Sequence, residues 1–593
     1  MKSASYKFVP KHQLLLLILF AVGLDINTLF NGYVLDDCVV MTQNRLVEKG
    51  ISGIPELFST DYVYGYSTQE NVLSNPRYRP FSLIVFAIEH QVFGANPLIS
   101  HFINLILFVL LVILLYRLLK FYLLRSKHEL LAFIACLLFV VHPIHTEVIA
   151  NVKSRDELLT FIFLISSVIS LLNHTLSKHK WWLVLSHICF FLALLTKETA
   201  VTFIAIIPLI FYFFYRQTIK QSLIQTIFFA VVLFIYLGLR HNMVGFNSYP
   251  IDDVANSPYI YAIPSEAFAT KVFVLWKYIA LLFLPYPLSS DYGFNQIPYI
   301  GLVSIPFIFS FLICTSLVVY SFITFKSRSL LSFCILYFFI TLSVGTNFII
   351  DLGAPLAERM LFEPSLAFCI AIAAFIVEPP KKSRILSYGI FGLLIVFFSI
   401  KTIKRNMDWK SNESLILEDV TSSPDCSRLN LYACEQYILK SNNEPNDELR
   451  KEYLNKAVVY GEKSLAIHNK FAYIYQRLGF AYFNQQNYLK ASELWLKASE
   501  LEPNNKETKK WLVDLSTVFY KNGNAFIDKN NTDDAIKNYL KATELNSNNI
   551  QAWYGLGGSY YTKNDSVNSN KAWDKVKTLD PNFRIAKEDF SHN

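Results

Sequence analysis

The sequence contains no P-loop, no Gly-x-Ser-x-Gly elbow, no His-Glu-x-x-His and no Walker-type segment. Each of those arrangements carries a mechanism, so without them ATP-driven transport and serine hydrolysis have no support. The eight cysteines show no zinc spacing. Cys136, Cys189, Cys314, Cys334 and Cys369 lie inside apolar runs and read as small core residues. Cys38, Cys426 and Cys434 lie outside them. A Cys426–Cys434 disulfide is disfavoured, because the eight intervening steps of helix hold the two Cα atoms too far apart. No small-residue cleavage site follows the first apolar run, which therefore reads as a signal anchor. The net charge of +8 is modest. Much of it sits in short loops, where it sets membrane topology rather than binding nucleic acid.

What is present divides the chain in two. Of its 593 residues 53% are hydrophobic, too many for one soluble domain and too few for a wholly membrane protein. Apolar runs follow one another up to about Thr402. From Lys404 onward the sequence is rich in Asn, Lys and Glu and holds no spanning run. An all-α protein is expected, with a polytopic membrane domain over residues 1–404 and a water-facing domain over 405–593.

Eleven apolar stretches are long enough to cross: about 13–30, 98–119, 130–149, 157–173, 181–196, 199–215, 222–239, 301–325, 329–350, 361–377 and 385–402. A twelfth, Val272–Pro285, is ambiguous. If it does not cross, one side collects Lys2/Lys7/Lys11, Arg117/Lys120/Arg125/Lys127, Lys178/Lys180, Arg216/Lys220, Lys326/Arg328 and Lys381/Lys382/Arg384. Basic short loops mark the cytoplasmic side. If it crosses, the last two groups face outward and the pattern fails. It is therefore expected to lie in the interface or to re-enter. The tail then lies outside, with most of the unusual polar sequence.

The tail repeats itself. Tyr475, Leu478, Gly479, Tyr482, Ala491, Trp495, Ala498 and Pro503 follow the 34-residue tetratricopeptide pattern. Trp553, Leu556, Gly557, Tyr560, Trp573 and Pro581 give a second copy. Gly523, Phe526, Ala535, Tyr539 and Ala542 give another, and a half-repeat surrounds Ala457. Such arrays present a concave groove to peptides, although they also serve as plain scaffolds.

The chemistry-bearing residues lie at span ends. Asp36-Asp37 follows the first span, and carboxylates beside hydrocarbon need a partner or a task. One of them would act as general base on an incoming hydroxyl; alternatively one caps a helix and the other is solvated. Arg77-Tyr78-Arg79-Pro80 opens an amphipathic stretch, and its arginines could hold a lipid phosphate or face headgroups. His142, His145 and Glu147 are weak candidate ligands for a divalent cation, and otherwise would line a polar site. Lys153–Glu157, Lys197-Glu198 and Glu358-Arg359 are mixed-charge groups of the same kind. Arg155, Lys197 and Arg359 could surround a phosphate or diphosphate leaving group. Alternatively, each pairs with a neighbouring carboxylate. Asp291, in Ser290-Asp291-Tyr292, falls on the same side.

The ordered set Leu35-Asp36-Asp37, Tyr78-Arg79-Pro80, His142-Pro143-Ile144-His145-Thr146-Glu147-Val148, Ser154-Arg155-Asp156-Glu157-Leu158-Leu159, Thr196-Lys197-Glu198, Leu288-Ser289-Ser290-Asp291-Tyr292 and Ala357-Glu358-Arg359-Met360-Leu361-Phe362-Glu363-Pro364-Ser365 resembles the transmembrane and tetratricopeptide-repeat O-mannosyltransferases. That resemblance implies a GT-C glycosyltransferase fold. It implies a sugar donor on a polyprenyl or dolichyl phosphate, transfer to Ser or Thr hydroxyls of proteins outside the cytoplasm, and inversion at the anomeric carbon.

By the same resemblance Asp36, rather than Asp37, is the better base. Arg79, Arg155, Lys197 and Arg359 are the candidates for the lipid phosphate. His142, His145, Glu147, Glu198, Asp291 and Glu358 line the site. The repeats, through Tyr475, Tyr482, Trp553 and Tyr560, would hold the acceptor protein. The Asn-, Lys-, Ile- and Phe-rich composition suggests a bacterial inner-membrane protein with site and repeats in the periplasm, or in the ER lumen of a eukaryote. An oligosaccharyltransferase using a lipid diphosphate and a non-enzymatic transporter or flippase with a docking tail are the alternatives. A transporter should carry charges near mid-span, whereas these lie at span ends.

Overall fold

A computed structural model describes residues 11–66, 76–125, 127–246, 254, 257–349, 352–378 and 384–587. Lys2, Lys7, Lys381 and Lys382, which carry part of the charge argument, lie outside the described residues. Regular structure among the described residues is helical. Contacts divide the chain into two units, residues 1–426 and 427–593. The first unit thus keeps the helices Arg384–Asp408 and Asn412–Ser422, beyond the compositional break at residue 404.

Among the described residues of the first unit, seven helices are long and apolar enough to cross a membrane, and eight if the bent pair Leu131–Val141 and Pro143–Ala150 counts as one span. That pair bends by 55° at Pro143, which has no N–H to continue the helical ladder. Three expected spans fall on the shorter apolar helices Lys180–Thr196, Leu330–Thr346 and Ser365–Val377. The eleven expected stretches thus all meet helices, though three of those are short. The chain is a multi-pass membrane protein.

Contacts between span ends fix which ends share a side. The Tyr33 hydroxyl, past the first span, meets the Ser100 hydroxyl at 2.9 Å near the start of the helix Pro97–Leu118. Arg240, near the end of Ile227–Val244, donates to the Pro76 carbonyl at 2.9 Å. At the opposite end of the spans, Arg328 donates to the Gln217 carbonyl at 3.0 Å. Ile305–Ile323 therefore starts on the side of Asp36 and ends on the far side. The count of crossings closes only if Pro264–Phe283 makes no net crossing. The Leu282 carbonyl near its end accepts from His142 at 2.9 Å.

Between the first span and the helix Pro97–Leu118 lies a small water-side cap. Its core is Val40, Met41, Leu46, Val47, Leu57, Tyr62, Leu83, Ile84, Phe86 and Ala87. This cap positions residues 76–80 over the membrane part.

Among its described residues, the second unit holds four helix pairs, from Ser427–Asn443 to Ser566–Leu579. Its many asparagines have a task. Asn446, Asn487, Asn505, Asn531 and Asn549 each cap a helix, their side chains accepting from backbone N–H groups in the first turn. Gly479 and Gly557 each let a helix pass against an indole: a Cβ at either would collide with Trp495 or Trp573, sixteen residues on. No disulfide joins any two of the described cysteines.

Candidate active site

The two carboxylates that leave the first span have different fates. Asp37 is fully buried. Its oxygens accept from the backbone N–H of Val34 at 2.9 Å and of Lys153 at 2.7 Å. Burial, aided by the charge of Asp36, pushes its carboxyl up to about 7 despite those two donors. Asp36 is exposed. Its carboxylate has no hydrogen bond or ion pair among the described residues. The turn that separates the two is strained: Leu35 sits at φ 47°, a region a branched side chain seldom enters. It is held there by its N–H donating to Asn412 Oδ1 at 2.8 Å.

Lys153 reaches Asp37 because the broken span ends at Ala150 in a tight turn. Asn151 Oδ1 accepts from the Ser154 N–H at 3.0 Å and hydroxyl at 2.9 Å. The next helix, Arg155–Ser177, starts with Asp156 and Glu157 in its first turn, where carboxylates favour the helix dipole. Both acids face cations from other elements. Arg79 donates to Asp156 at 2.9 Å and, through two nitrogens, to Glu198 at 2.7 and 2.8 Å. Lys153 shares Asp156 more loosely, at 3.4 Å. Lys197 pairs with Glu157, and both are buried. Arg359 takes Glu147 twice, through Nη1 at 2.5 Å and its backbone N–H at 2.9 Å. About a quarter of its side chain, 26%, stays exposed.

The residues singled out in the sequence therefore separate into groups. Arg79, Lys153, Asp156 and Glu198 form one set of ion pairs beside Asp36, Lys197 and Glu157 a second, and Arg359 and Glu147 a third. Arg155 belongs to none of them. It is fully buried over the Phe86 ring, and its guanidinium is spent on Glu89, on Asn104 Oδ1 at 2.7 Å and on the Ser100 carbonyl at 3.0 Å. It pins three helices together and offers nothing to a phosphate.

The cation-site expectation fails for a similar reason. His142 accepts the Ile144 N–H on Nδ1 and donates from Nε2 to the Leu282 carbonyl. His145 uses Nδ1 on the Phe139 carbonyl and Nε2 on the Ser365 hydroxyl, each at 2.8 Å. Glu147 belongs to Arg359. Among the described residues no three His, Cys, Asp or Glu side chains gather to hold a metal. The rings lock the bend at Pro143 instead.

Glu358 and Asp291 belong to a second, adjoining cluster. Glu358 accepts from the Ser289 N–H at 2.5 Å and the Tyr292 hydroxyl at 2.8 Å. Burial raises its carboxyl to about 8. Asp291 closes its own turn by accepting from the Gly293 N–H at 2.8 Å. Next to them Asp419 accepts from Arg405 at 2.6 Å and from the Ser290 N–H at 2.6 Å. Sequence reading missed Asp419 and Arg405, which lie outside every motif it used.

In the repeats, the four aromatic residues expected to touch an acceptor are half-buried. Tyr475 donates to the Asn469 carbonyl and Trp553 to the Ser547 carbonyl, both at 3.0 Å. Tyr482 donates to Glu462, and Tyr560 packs on the buried cluster around Tyr539. Tyr482 and Tyr560 thereby brace neighbouring helices, while Tyr475 and Trp553 each tie down the loop before their own helix.

Comparison with known proteins bears on both units. Residues 76–239 match the family described as dolichyl-phosphate-mannose-protein mannosyltransferase. Residues 472–505 and 523–564 match tetratricopeptide-repeat families. The human protein O-mannosyl-transferase TMTC3 is 25% identical over 504 residues, covering 79% of this chain and 53% of that one. The Caenorhabditis elegans protein O-mannosyl-transferase F38B6.6 is 25% identical over 433 residues, 70% of this chain and 59% of that one. The chain spans a little over half the length of the curated relatives it matches. A solved oligosaccharyltransferase of Archaeoglobus fulgidus aligns over 76% of this chain and 60% of its own, at 16% identity and a TM-score of 0.39. This chain thus joins a segment similar to the mannosyltransferase family with tetratricopeptide repeats.

Proposed function

We propose that this chain is a membrane glycosyltransferase that moves a sugar, mannose in the first instance, from a polyprenyl-phosphate carrier to a hydroxyl group of a protein. One observation carries the reading. Among the described residues, Asp36 is an exposed carboxylate without a partner, set beside buried ion pairs in which most neighbouring acids are already matched to cations. A free base next to fixed positive charge suits a reaction in which a hydroxyl loses its proton while a phosphate leaves.

In that reaction the Asp36 carboxylate accepts the proton of the acceptor hydroxyl. The hydroxyl oxygen attacks the anomeric carbon from the face opposite the carrier. The bond from that carbon to the phosphate oxygen breaks, and its electron pair stays on the phosphate. The configuration at the sugar inverts. Partly exposed Arg359 is placed to meet the growing negative charge, whereas Arg79 and Lys197 keep the acids around it fixed. Preorganised charge of this kind needs no rearrangement as the bond breaks. Asp37 ties the turn that bears Asp36 to the turn that bears Lys153.

Basic residues crowd the ends of the spans away from Asp36, which supports a site on the non-cytoplasmic side. The repeats would then offer a groove to the acceptor protein.

The test is direct. Purified protein in lipid nanodiscs would be given polyprenyl-phosphate mannose and a Ser/Thr-containing protein acceptor, and the product read by intact-mass spectrometry. A gain of one hexose per modified hydroxyl is expected. No transfer from this donor, with transfer from a lipid diphosphate, would replace the proposed donor class.

A further inference from the structure

We infer that Arg77, rather than the motif arginines Arg79 and Arg155, is the residue that grips the phosphate headgroup of the ligand. The inference rests on the proposed reading of the site and names the group that meets its anion.

The observation is a difference in how three arginines are spent. Arg79 gives its three donor nitrogens to Asp156 and Glu198 and is 7% exposed. Arg155 is fully buried and matched to Glu89. Arg77 is fixed by its main chain alone. Its N–H donates to Asp61 Oδ2 at 2.5 Å, and its carbonyl accepts from the Tyr62 N–H at 2.9 Å. Asp61 is itself held in place, accepting from the Val63 N–H at 3.0 Å. Yet among the described residues the Arg77 guanidinium has no hydrogen bond and no ion pair. The backbone is thus rigid while the charged group is uncommitted.

Its surroundings make that costly. The side chain is half-buried, and the positive charges of Arg79 and Arg359 act on it. Burial first, then those two charges, lowers its hold on its proton, with Glu198 and Asp36 opposing. An uncommitted guanidinium amid like charges favours an anion with paired oxygens, because the planar fork matches phosphate. Lys153 has charge to spare as well, since it shares Asp156 with Arg79 at the longer distance of 3.4 Å. The site therefore holds a surplus of positive charge next to Asp36. A phosphate ester fills it, whether it arrives as a lipid headgroup or as free phosphate.

Two experiments on the full chain in nanodiscs test this. In the first, the wild-type protein is treated with phenylglyoxal, and the modified arginines are located by mass spectrometry. Arg77 should react while Arg79 and Arg155 do not. Polyprenyl monophosphate should protect it; polyprenol, which lacks the phosphate, should not. Protection by millimolar inorganic phosphate alone would show that the headgroup suffices, and protection only by the lipid that the chain is needed too. Reaction at Arg79 in place of Arg77, or no protection by either phosphate, overturns the inference.

In the second, Arg77→Gln should raise the KM for the lipid donor about tenfold or more, with the acceptor KM unchanged. Arg77→Lys should recover part of that loss. An unchanged donor KM in Arg77→Gln with transfer intact would reject Arg77 and leave the proposed function standing. Protection of Arg77 by polyprenyl phosphate in a protein that transfers no sugar would do the reverse.

Discussion

The side chain of Asp37 accepts the backbone N–H of Lys153 at 2.7 Å, across 116 residues of sequence. This bond joins the exit of the first span to the turn that begins the helix Arg155–Ser177. It places the free carboxylate of Asp36 beside the site's ion pairs.

Breaking that bond should disturb the site before it disturbs the fold. Asp37→Asn keeps the volume but turns one acceptor oxygen into a donor that faces an N–H. Transfer should fall about tenfold or more, since an unsatisfied buried polar group costs roughly 1–3 kcal/mol. The same variant tests a pH effect. The Asp37 carboxyl lies at about 7 in the folded protein, against 3.8 for the ordinary group. Between those values the folded state holds the proton more tightly than the unfolded one. Stability from this group is therefore full below about pH 4 and declines as pH rises towards 7. Melting curves from pH 4 to 8 should show a shallower decline in Asp37→Asn than in the parent protein.

Arg155→Met and Arg155→Lys should both reduce the yield of folded protein. Removing one partner of a buried pair costs roughly 3–5 kcal/mol, and lysine lacks the fork that reaches Glu89, Asn104 and Ser100 together. Fluorescence-detected size-exclusion chromatography after heating reads this. Donor KM in the surviving protein should not change.

Arg359→Ala and Lys197→Ala should differ in kind. Arg359 is partly exposed and should affect the donor, raising its KM about tenfold. Lys197 is buried against Glu157, so its loss leaves an unpaired carboxylate inside the protein and should lower thermal stability instead. Donor titrations and melting curves on the two variants separate these outcomes.

Gly479→Ala should loosen the repeats by about 1–3 kcal/mol, because the new methyl group meets the Trp495 indole. Limited proteolysis of the full chain should then cut earlier in residues 427–593. Transfer to an intact acceptor protein should fall, and transfer to a short peptide should persist.

The sequence made much of this legible and some of it not. Apolar length located the spans, and the charge of the short loops agreed with the side assignments that Arg240 and Arg328 support. The repeat period located the helix pairs through Gly479, Trp495, Gly557 and Trp573. Partnering was the illegible part. Asp36 and Asp37 are adjacent and chemically alike, and only the strained turn at Leu35 decides which is buried. Arg79 and Arg155 both look like phosphate ligands in a motif, yet each is consumed by acids more than 60 residues away. His142 and His145 have metal-like spacing, but the bend at Pro143 turns both rings onto carbonyl and hydroxyl groups. The aromatic residues of the repeats were legible as a pattern, but the bonds of Tyr475 and Trp553 to the loops before their helices were not.

The central claim is that the free carboxylate of Asp36 takes the proton of the acceptor. It is tested most directly by the single-turnover transfer rate of Asp36→Asn, measured beside its parent on purified, correctly folded protein with saturating polyprenyl-phosphate mannose. The account predicts a fall of at least about 100-fold, with donor binding retained, since a general base contributes on that scale. A rate above about one tenth of the parent's would contradict it.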